Sequence, residues 1–289
     1  MHADEVRTDA TLVRRLLAEQ LPDWATLPAE RVPSSGTDNA LYRLGDDMVA
    51  RLPRTDWAVA GLERELEWLP RLAPHIPVDI PVVLAAGRPG AGYPYPWAVY
   101  RWLDGENPRI GYADEPRALA HALVEFVLAL RRIGLAGPPS RRGSTFALRD
   151  GQTRAALAQL SGVIDVDAAT AAWDASLRAP AWSATPVWVH GDLLTGNLLM
   201  DGGRLTAVID FGLVGVGDPA CDLTAAWCVL DATARAAFRS ELGADDATWA
   251  RGRGWALYFA LNALPYYVRT NPPFAALARH VLREVLADV

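Results

Sequence analysis

Residues 190–197 read His-Gly-Asp-Leu-Leu-Thr-Gly-Asn, and the triplet Asp-Phe-Gly follows at 210–212, thirteen residues after Asn197. Apolar and β-branched residues fill much of the interval and surround a Gly-Gly pair, which predicts a β-hairpin over residues 198–209. A hairpin brings the residues at its two open ends together, so Asn197 and Asp210 are expected at the same end of two paired strands.

The spacing Asp-x-x-x-x-Asn, from Asp192 to Asn197, matches the catalytic loop of kinases. In that loop the Asp receives the proton of the acceptor hydroxyl and the Asn holds Mg²⁺, while the Asp of Asp-Phe-Gly binds Mg²⁺ that bridges the nucleotide phosphates. Carboxylate and amide oxygens are the hard ligands that such a metal ion needs. The pattern therefore predicts Asp192 as catalytic base and Asn197 and Asp210 as Mg²⁺ ligands.

Two neighbouring residues each admit two interpretations. His190 is either a general base or metal ligand, or a residue that orients the loop through hydrogen bonds; we favour the second. Asp222 is either a further metal ligand or a structural carboxylate near a helix start that accepts backbone N–H bonds from the loop. For Asp222 we again favour the structural interpretation.

The composition limits the class of protein. The chain has 289 residues, of which 51% are hydrophobic, enough for one large domain or two lobes. A net charge of −6 without a basic region argues against nucleic-acid binding, and the apolar runs are too short to span a membrane. The two cysteines suggest no disulfide framework, and the sequence start does not resemble a secretory signal, so a cytoplasmic protein is expected. All 28 basic side chains are arginine, so a mechanism that requires lysine needs revision.

The element pattern predicts an α+β protein with two lobes, one over residues 1–103 and the other over 104–289. The first lobe alternates short strands with one helix, and the second is mainly helical around a short β region. The strands are predicted at 39–44, 48–52, 81–86, 95–103, 187–189, 198–200 and 205–209, and the helices at 57–72, 116–133, 153–179 and from 219 to the end. Residues 104–108 are the candidate linker, 135–152 a predicted loop, and the glycine-rich segment 212–217 a predicted turn.

Three motifs, at residues 190–197, 209–212 and 217–223, resemble the aminoglycoside phosphotransferase family. The third motif reads Gly217-Asp218-Pro219-Ala220-x-Asp222-Leu223, and the resemblance covers about residues 30–265. The resemblance implies a bilobal, protein-kinase-like fold and ATP-dependent phosphorylation of a small molecule. It also implies that Asp192 is the catalytic base, that Asn197 and Asp210 bind Mg²⁺, and that Asp218 and Asp222 brace the site.

The same resemblance implies a set of nucleotide-binding residues in the first lobe. Members of the family carry a strand lysine that pairs with the phosphates and with a helix glutamate. The matching residues here are Arg51 and Glu65, although Glu63 and Glu67 are alternative partners. Arginine keeps the positive charge but is longer and planar, so we expect a rearranged phosphate geometry. The other implied nucleotide-binding residues are Ser35 and Gly36 in a phosphate-covering loop, backbone groups of Arg101 and Leu103 at the adenine edge, and Tyr100 behind the adenine.

The predicted activity is transfer of the γ-phosphoryl group of ATP, with GTP as an alternative donor, to a hydroxyl group of a small molecule. An aminoglycoside-type antibiotic is the leading acceptor, and a macrolide or a small metabolite is the alternative. Carboxylates of the second lobe could converge on a cationic acceptor, although acids on helices more often form a solvated face. The acids in question are Asp150, Asp165, Asp167, Asp174, Asp231, Glu241, Asp245 and Asp246. A nucleotide-binding pseudokinase scaffold and a metal-dependent hydrolase are the alternatives from other classes, and the oligomeric state is not predicted.

Overall fold

The computed structural model describes residues 5–33, 36, 38–111, 115–144 and 146–288. The chain divides into two compact units: residues 1–74, 79–104 and 207–212 form the first, and residues 75–78, 105–206 and 213–289 form the second. The segment 207–212, which carries Asp210, belongs to the first unit.

The first unit is built on a five-stranded antiparallel sheet with the order β1-β2-β3-β5-β4. Its strands are β1 (Ala29–Arg31), β2 (Asn39–Leu44), β3 (Met48–Pro53), β4 (Val83–Gly87) and β5 (Trp97–Arg101). Along β2, buried and half-buried residues alternate, as expected for a strand with one face in the core. Four of these strands match the predicted ones to within two residues at most boundaries, and β1 was not predicted because three residues carry too little pattern.

Two helices accompany this sheet: α1 (Ala10–Gln20) and α2 (Asp56–Leu72). The Asp9 carboxylate caps α1 by accepting the Leu12 N–H at 2.7 Å. The apolar stripe of α1 joins the core of the sheet, together with residues such as Tyr42 and Trp97. On α2 the buried face contains Leu62 and Leu69, as the leucine spacing predicts, but it also contains the carboxylate of Glu65.

The second unit is mainly helical. Its helices are α3 (Pro116–Arg131), α4 (Asp150–Gln159), α5 (Val166–Leu177), α6 (Ala225–Cys228), α7 (Ala232–Leu242), α8 (Asp246–Tyr267) and α9 (Pro272–Ala287). The single helix predicted over 153–179 is wrong: α4 and α5 are separate, because Gly162 has φ +76° and Asp165 begins a new helix by accepting the Ala168 N–H. The predicted loop 135–152 ends earlier than expected, in a 3₁₀ turn at Phe146–Arg149.

Four short strands complete the fold: β6 (Val187–Val189), β7 (Leu198–Asp201), β8 (Arg204–Val208) and β9 (Gly215–Gly217). Strands β7 and β8 form the predicted hairpin, while β9 pairs antiparallel with β6. The turn predicted over the glycine-rich segment is therefore wrong for 215–217. Glycine is required there by close packing, since a Cβ on Gly217 would lie 2.5 Å from the Gly143 carbonyl oxygen. The α+β class is confirmed, and no helix of the described part of the chain is both long and apolar enough to cross a bilayer.

Candidate active site

The segment 190–197 forms a compact loop directly after β6, and Asn197 closes it. The Asn197 side-chain Nδ2 donates to the backbone oxygen of Asp192 at 2.8 Å and to its carboxylate Oδ2 at 3.0 Å. The Asp192 side chain is 23% exposed, so solvent and small molecules reach it. The loop therefore presents an oriented carboxylate at the surface of the second unit.

The side chain of Asp222 holds the backbone at the start of this loop. That carboxylate is 1% exposed and accepts the N–H groups of His190 at 2.9 Å and Gly191 at 2.7 Å. Burial raises the pKa of Asp222, whereas the His190 ring, the two N–H donors and Arg131 oppose that rise. His190 is buried, and its Nδ1 accepts the Asp192 N–H at 3.2 Å. Both residues thus make the supporting contacts that we favoured.

Asp218, from the third motif, also supports the fold. Its Oδ1 accepts the Ala220 N–H at 2.9 Å, and its Oδ2 accepts from Arg251 Nε at 2.7 Å. Arg251 is buried and donates further to the Pro180 carbonyl oxygen at 2.6 Å. This ion pair ties the segment after β9 to α8 and to the chain that leads into β6.

Arg142 lies beside the Asp192 carboxylate, a position that sequence reasoning missed. Its Nη2 is 4.0 Å from Asp192 Oδ1, and its guanidinium lies over the Tyr258 ring at 5.3 Å from the centroid. The sequence shows Arg142 only as one arginine among several in a predicted loop. No local pattern identifies it, because its neighbours come from distant parts of the chain.

In the first unit, Arg51 of β3 and Glu65 of α2 form a buried ion pair. Arg51 Nη1 donates to the two carboxylate oxygens at 2.7 and 2.6 Å, and the Glu65 side chain is 0% exposed. Tyr100 Oη donates to Glu65 Oε2 at 2.7 Å, and the Phe211 N–H donates to Oε1 at 2.8 Å. Of the three candidate partners for Arg51, the structure brings Glu65 to it; Glu67 instead pairs with Arg71 near the surface.

Arg51 also reaches Asp210, the residue of the Asp-Phe-Gly triplet. Its Nη2 donates to Asp210 Oδ1 at 3.0 Å, and with the Asn39 amide oriented to accept, Nε and Nη2 donate to that side-chain oxygen at 3.1 and 2.9 Å. Burial alone would lower the pKa of Arg51, but the carboxylates of Glu65 and Asp210 outweigh it and raise that pKa, so the guanidinium stays charged. Burial, with the Glu65 charge, also raises the pKa of Tyr100 well above its usual range.

The Asp210 backbone has φ +64°, the left-handed region that residues other than glycine rarely adopt. Such a conformation costs of order 1 kcal/mol and persists where neighbouring contacts hold it. Here the Glu65 bond to the Phe211 N–H and the Arg51 bond to the carboxylate hold it from both sides. The result is a carboxylate that is 45% exposed and fixed in direction.

The remaining predicted nucleotide-binding residues lie at the end of β5 and before β2. Tyr100 is buried, Arg101 is exposed, and Leu103 is half-buried in the segment after the strand. The Arg101 N–H donates to the Val82 carbonyl oxygen at 2.9 Å, so this N–H is already used within the protein. Gly36 is exposed, and Ser35 lies outside the described residues.

The residues predicted to hold Mg²⁺ have the right chemistry for it. Because Asn197 directs its Nδ2 to Asp192, its side-chain oxygen is the atom left to face a cation. Asp210 adds a partly exposed carboxylate. Among the described residues no group of three or more His, Cys, Asp and Glu side chains is arranged to hold a metal ion. Mg²⁺ is usually held by one or two protein oxygens together with phosphates and water.

A charged strand arginine paired with a helix glutamate, an Asp-Phe-Gly carboxylate beside it, and an Asp-x-x-x-x-Asn loop define a kinase-like phosphotransferase. The sequence model described as the phosphotransferase enzyme family matches residues 30–255. The chain belongs to this family, and its predicted resemblance to aminoglycoside phosphotransferases is confirmed.

Known proteins agree with this assignment. An aminoglycoside 3'-phosphotransferase from Streptomyces fradiae is 30% identical over 180 residues, which cover 58% of this chain and 63% of the relative. The chain thus matches less than two thirds of that relative's length. The GDP and kanamycin complex of APH(2″)-IIIa superposes with a TM-score of 0.74 at 20% identity, over 94% of this chain and 97% of the other. The macrolide 2'-phosphotransferase MphH from Brachybacterium faecium gives a TM-score of 0.59 at 22% identity, over 94% and 97% of the two chains. These structural similarities confirm the bilobal kinase-like fold.

Proposed function

We propose that this protein is an ATP-dependent O-phosphotransferase that phosphorylates a hydroxyl group of a small molecule and requires Mg²⁺. The observation that carries the proposal is the pair of hydrogen bonds by which Asn197 fixes Asp192. With Oδ2 held at 3.0 Å, the carboxylate has a set direction and can accept a hydroxyl proton without rearrangement. A chain that only scaffolds has no use for an oriented proton acceptor.

The proposed reaction is an in-line displacement. The acceptor oxygen forms a bond to the γ-phosphorus, the bond from that phosphorus to the β,γ-bridging oxygen of ATP breaks, and Asp192 receives the hydroxyl proton. Asn197 and Asp210 would hold Mg²⁺ through oxygen atoms. The metal ion, when bound, supplies positive charge that neutralises the phosphate oxygens as charge develops on them.

Residues of the first unit are proposed to bind the nucleotide. Arg51, kept charged by Glu65 and Asp210, is suited to bind a phosphate oxygen in place of the usual lysine. The Arg101 carbonyl would accept from a nucleobase amino group and the Leu103 N–H would donate to a ring nitrogen, with Tyr100 behind them. Gly36 and Ser35 would cover the phosphates. Since the hinge contacts are backbone groups, GTP is an alternative donor.

For the acceptor, we propose an aminoglycoside-type antibiotic as the first candidate, because relatives over part of the chain carry that activity in their names. A macrolide is the second candidate, supported by the macrolide 2'-phosphotransferase of the same fold. Most of the acids considered for binding a cationic acceptor have structural partners. Asp165, Asp231 and Asp245 cap helices, Asp150 and Asp174 pair with Arg154, Glu241 pairs with His121, and Asp246 pairs with Arg239.

The proposed use of ATP also suggests where in the cell the protein works and how its chain is divided into lobes. Because ATP is an intracellular metabolite, we propose that the protein works in the cytoplasm. We further propose that residues 1–103 form the nucleotide-binding lobe and residues 104–289 the catalytic and acceptor-binding lobe, with Asp210 acting on the nucleotide side.

The test is an acceptor screen with ATP and Mg²⁺ that measures ADP release and a mass increase of one phosphoryl group. Kanamycin, gentamicin, streptomycin and a macrolide are the first acceptors. We expect turnover in the wild type, none in Asp192→Asn, and full turnover in Glu67→Gln, an exposed control that pairs with Arg71. Nucleotide binding without phosphorylation of any acceptor would instead indicate a scaffold.

A further inference from the structure

Among the described residues, Arg142 pairs with the Asp192 carboxylate at 4.0 Å, a distance too long for a hydrogen bond. A guanidinium carries five N–H groups, and within the described residues none of those of Arg142 lies within hydrogen-bond distance of an acceptor. The side chain is 25% exposed, and its donors reach solvent beside the Asp192 carboxylate. By contrast, the buried Arg251 of the same unit donates to Asp218, Pro180 and Thr248. The Arg142 donors are thus available to a ligand with several acceptor oxygens.

The backbone around Arg142 is fixed on both sides. The Ser140 N–H donates to the Val216 carbonyl oxygen at 2.9 Å, and Ser140 Oγ donates to the Leu213 carbonyl oxygen at 3.0 Å. On the other side, the Gly143 carbonyl oxygen accepts the Asp218 N–H at 3.0 Å. These bonds place Arg142 on a segment that is anchored before any ligand arrives, which lowers the cost of ordering it on binding.

The side chain is directed as well as anchored. The Arg142 guanidinium lies 5.3 Å from the centroid of the Tyr258 ring, and the Tyr258 hydroxyl donates to Gln152 Oε1 at 3.0 Å, which fixes the ring. In this position Nη2 is 4.0 Å from Asp192 Oδ1. The other carboxylate oxygen, Oδ2, faces Asn197. Asp192 therefore lies between an amide that orients it and a cation whose donors are unused.

We propose that Arg142 binds the phosphoryl group while it passes from ATP to the acceptor, and so acts as a catalytic residue; this inference rests on the proposed function. An acceptor hydroxyl that gives its proton to Asp192 lies about 2.6–3.2 Å from the carboxylate. The phosphorus under attack lies about 3–3.5 Å beyond that oxygen. The oxygens of the phosphoryl group thus pass within reach of a guanidinium that is 4.0 Å from Asp192.

The lack of a positively charged side chain at residues 193–196 supports the role of Arg142 in binding the phosphoryl group. Residues 193–196 are Leu-Leu-Thr-Gly, so the loop has no cation of its own, and the chain contains no lysine that could supply one. Negative charge on the transferred group must nevertheless be neutralised in the transition state. An arginine placed at that group in other phosphoryl-transfer enzymes contributes about 10³–10⁵ in rate. Arg142 is the arginine that the structure places beside Asp192 in the second unit.

The first experiment compares Arg142→Gln and Arg142→Lys with the wild type and with Arg154→Gln. Arg154 is a matched control because it pairs with Asp150 and Asp174 at the surface of the same unit. We expect Arg142→Gln to lower kcat about 100-fold or more for every acceptor, with acceptor KM within about threefold. Lysine should restore part of the rate because it keeps the charge but not the planar fork. A kcat within threefold of the wild type, or a loss confined to the KM of one acceptor, would overturn the proposal; the second result would make Arg142 an acceptor-binding residue.

A second measurement does not depend on the acceptor. ADP and Mg²⁺ with aluminium fluoride mimic the transferring phosphoryl group, and tryptophan fluorescence reports binding. In the wild type, aluminium fluoride should tighten ADP binding, and Arg142→Gln should lose at least about tenfold of that gain while binding ADP alone unchanged. Equal gains in the two proteins would overturn the role of Arg142 whatever the acceptor screen shows. If no acceptor is phosphorylated but Arg142→Gln still loses the tightening of ADP binding by aluminium fluoride, only the acceptor assignment is overturned.

Discussion

Arg51 Nη1 lies 2.7 and 2.6 Å from the two carboxylate oxygens of Glu65, inside the first unit of the protein. Arginine in this position therefore makes the strand-to-helix ion pair that a lysine would make, and its second terminal nitrogen also reaches Asp210 at 3.0 Å. A lysine ammonium is a single point charge and has no fork with which to bridge two carboxylates in this way. The substitution thus preserves the charge and adds a contact.

Breaking this pair should destabilise the protein. Arg51→Ala leaves a buried carboxylate without its cation, which typically costs about 3–5 kcal/mol. Chemical denaturation should show the loss directly. Arg71→Ala is the control, because its pair with Glu67 is more than half exposed and contributes about 0–1 kcal/mol. Equal stabilities of Arg51→Ala and Arg71→Ala would contradict the structural role given to the buried pair.

Arg51→Lys tests the nucleotide contact separately from stability. We expect this variant to fold, because the charge opposite Glu65 remains, but to bind ATP with altered affinity, because the bridge to Asp210 is lost. The measurement is KM for ATP together with the thermal midpoint. An unchanged KM would mean that the Arg51 bridge to Asp210 does not affect nucleotide binding.

Asp222→Asn should loosen the catalytic loop. The carboxylate accepts two backbone N–H groups, from His190 and Gly191, while an amide offers one oxygen and turns an N–H₂ donor toward the other. An unsatisfied buried donor costs about 1–3 kcal/mol. We expect a stability loss in that range and a reduced kcat, measured by denaturation and by ADP release. Asp231→Asn, at the N-terminus of α7, is a control whose amide oxygen can still cap the helix.

Two histidines should titrate on opposite sides of the usual value. The hydrogen bond that His121 Nδ1 donates to the Glu241 carboxylate at 2.8 Å, with the charge of Glu125, raises the pKa of His121. Its stabilising contribution is therefore present below the unfolded pKa and is lost as pH rises through the higher folded pKa. Burial lowers the pKa of His280, so its contribution is present above the unfolded pKa and is lost as pH falls through the folded one. NMR titration measures both; Glu241→Gln should lower the pKa of His121 and leave His280 unchanged.

Gly217→Ala should displace the segment that carries Arg142. The added Cβ would lie 2.5 Å from the Gly143 carbonyl oxygen, a backbone atom that accepts the Asp218 N–H and cannot move freely. We expect a lower thermal midpoint and lower turnover. Gly134→Ala is the matched control, because a Cβ there meets no atom within 4 Å. Normal stability of Gly217→Ala would show that the two segments are not in close contact.

Some elements could be predicted because their signal is local. The β2–β3 hairpin, α2 and the β7–β8 hairpin follow from periodicity and turn residues within a few positions of one another. The break between α4 and α5 was missed because alanine-rich sequence continues a helical pattern through Gly162. Strand β9 was missed because Gly215–Gly217 carries no strand propensity, and only pairing with β6 makes it a strand.

Residue type and spacing along the chain were enough to predict which residues carry the chemistry: Asp192, Asn197 and Asp210 stand in contiguous motifs, and their oxygens suit proton and metal binding. Only the tertiary structure decided that Glu65 rather than Glu67 meets Arg51, that Asp222 supports the loop, and that Arg142 lies beside Asp192. Those contacts join residues far apart in sequence. They depend on how helices and strands pack, and no periodicity within a single segment contains that information.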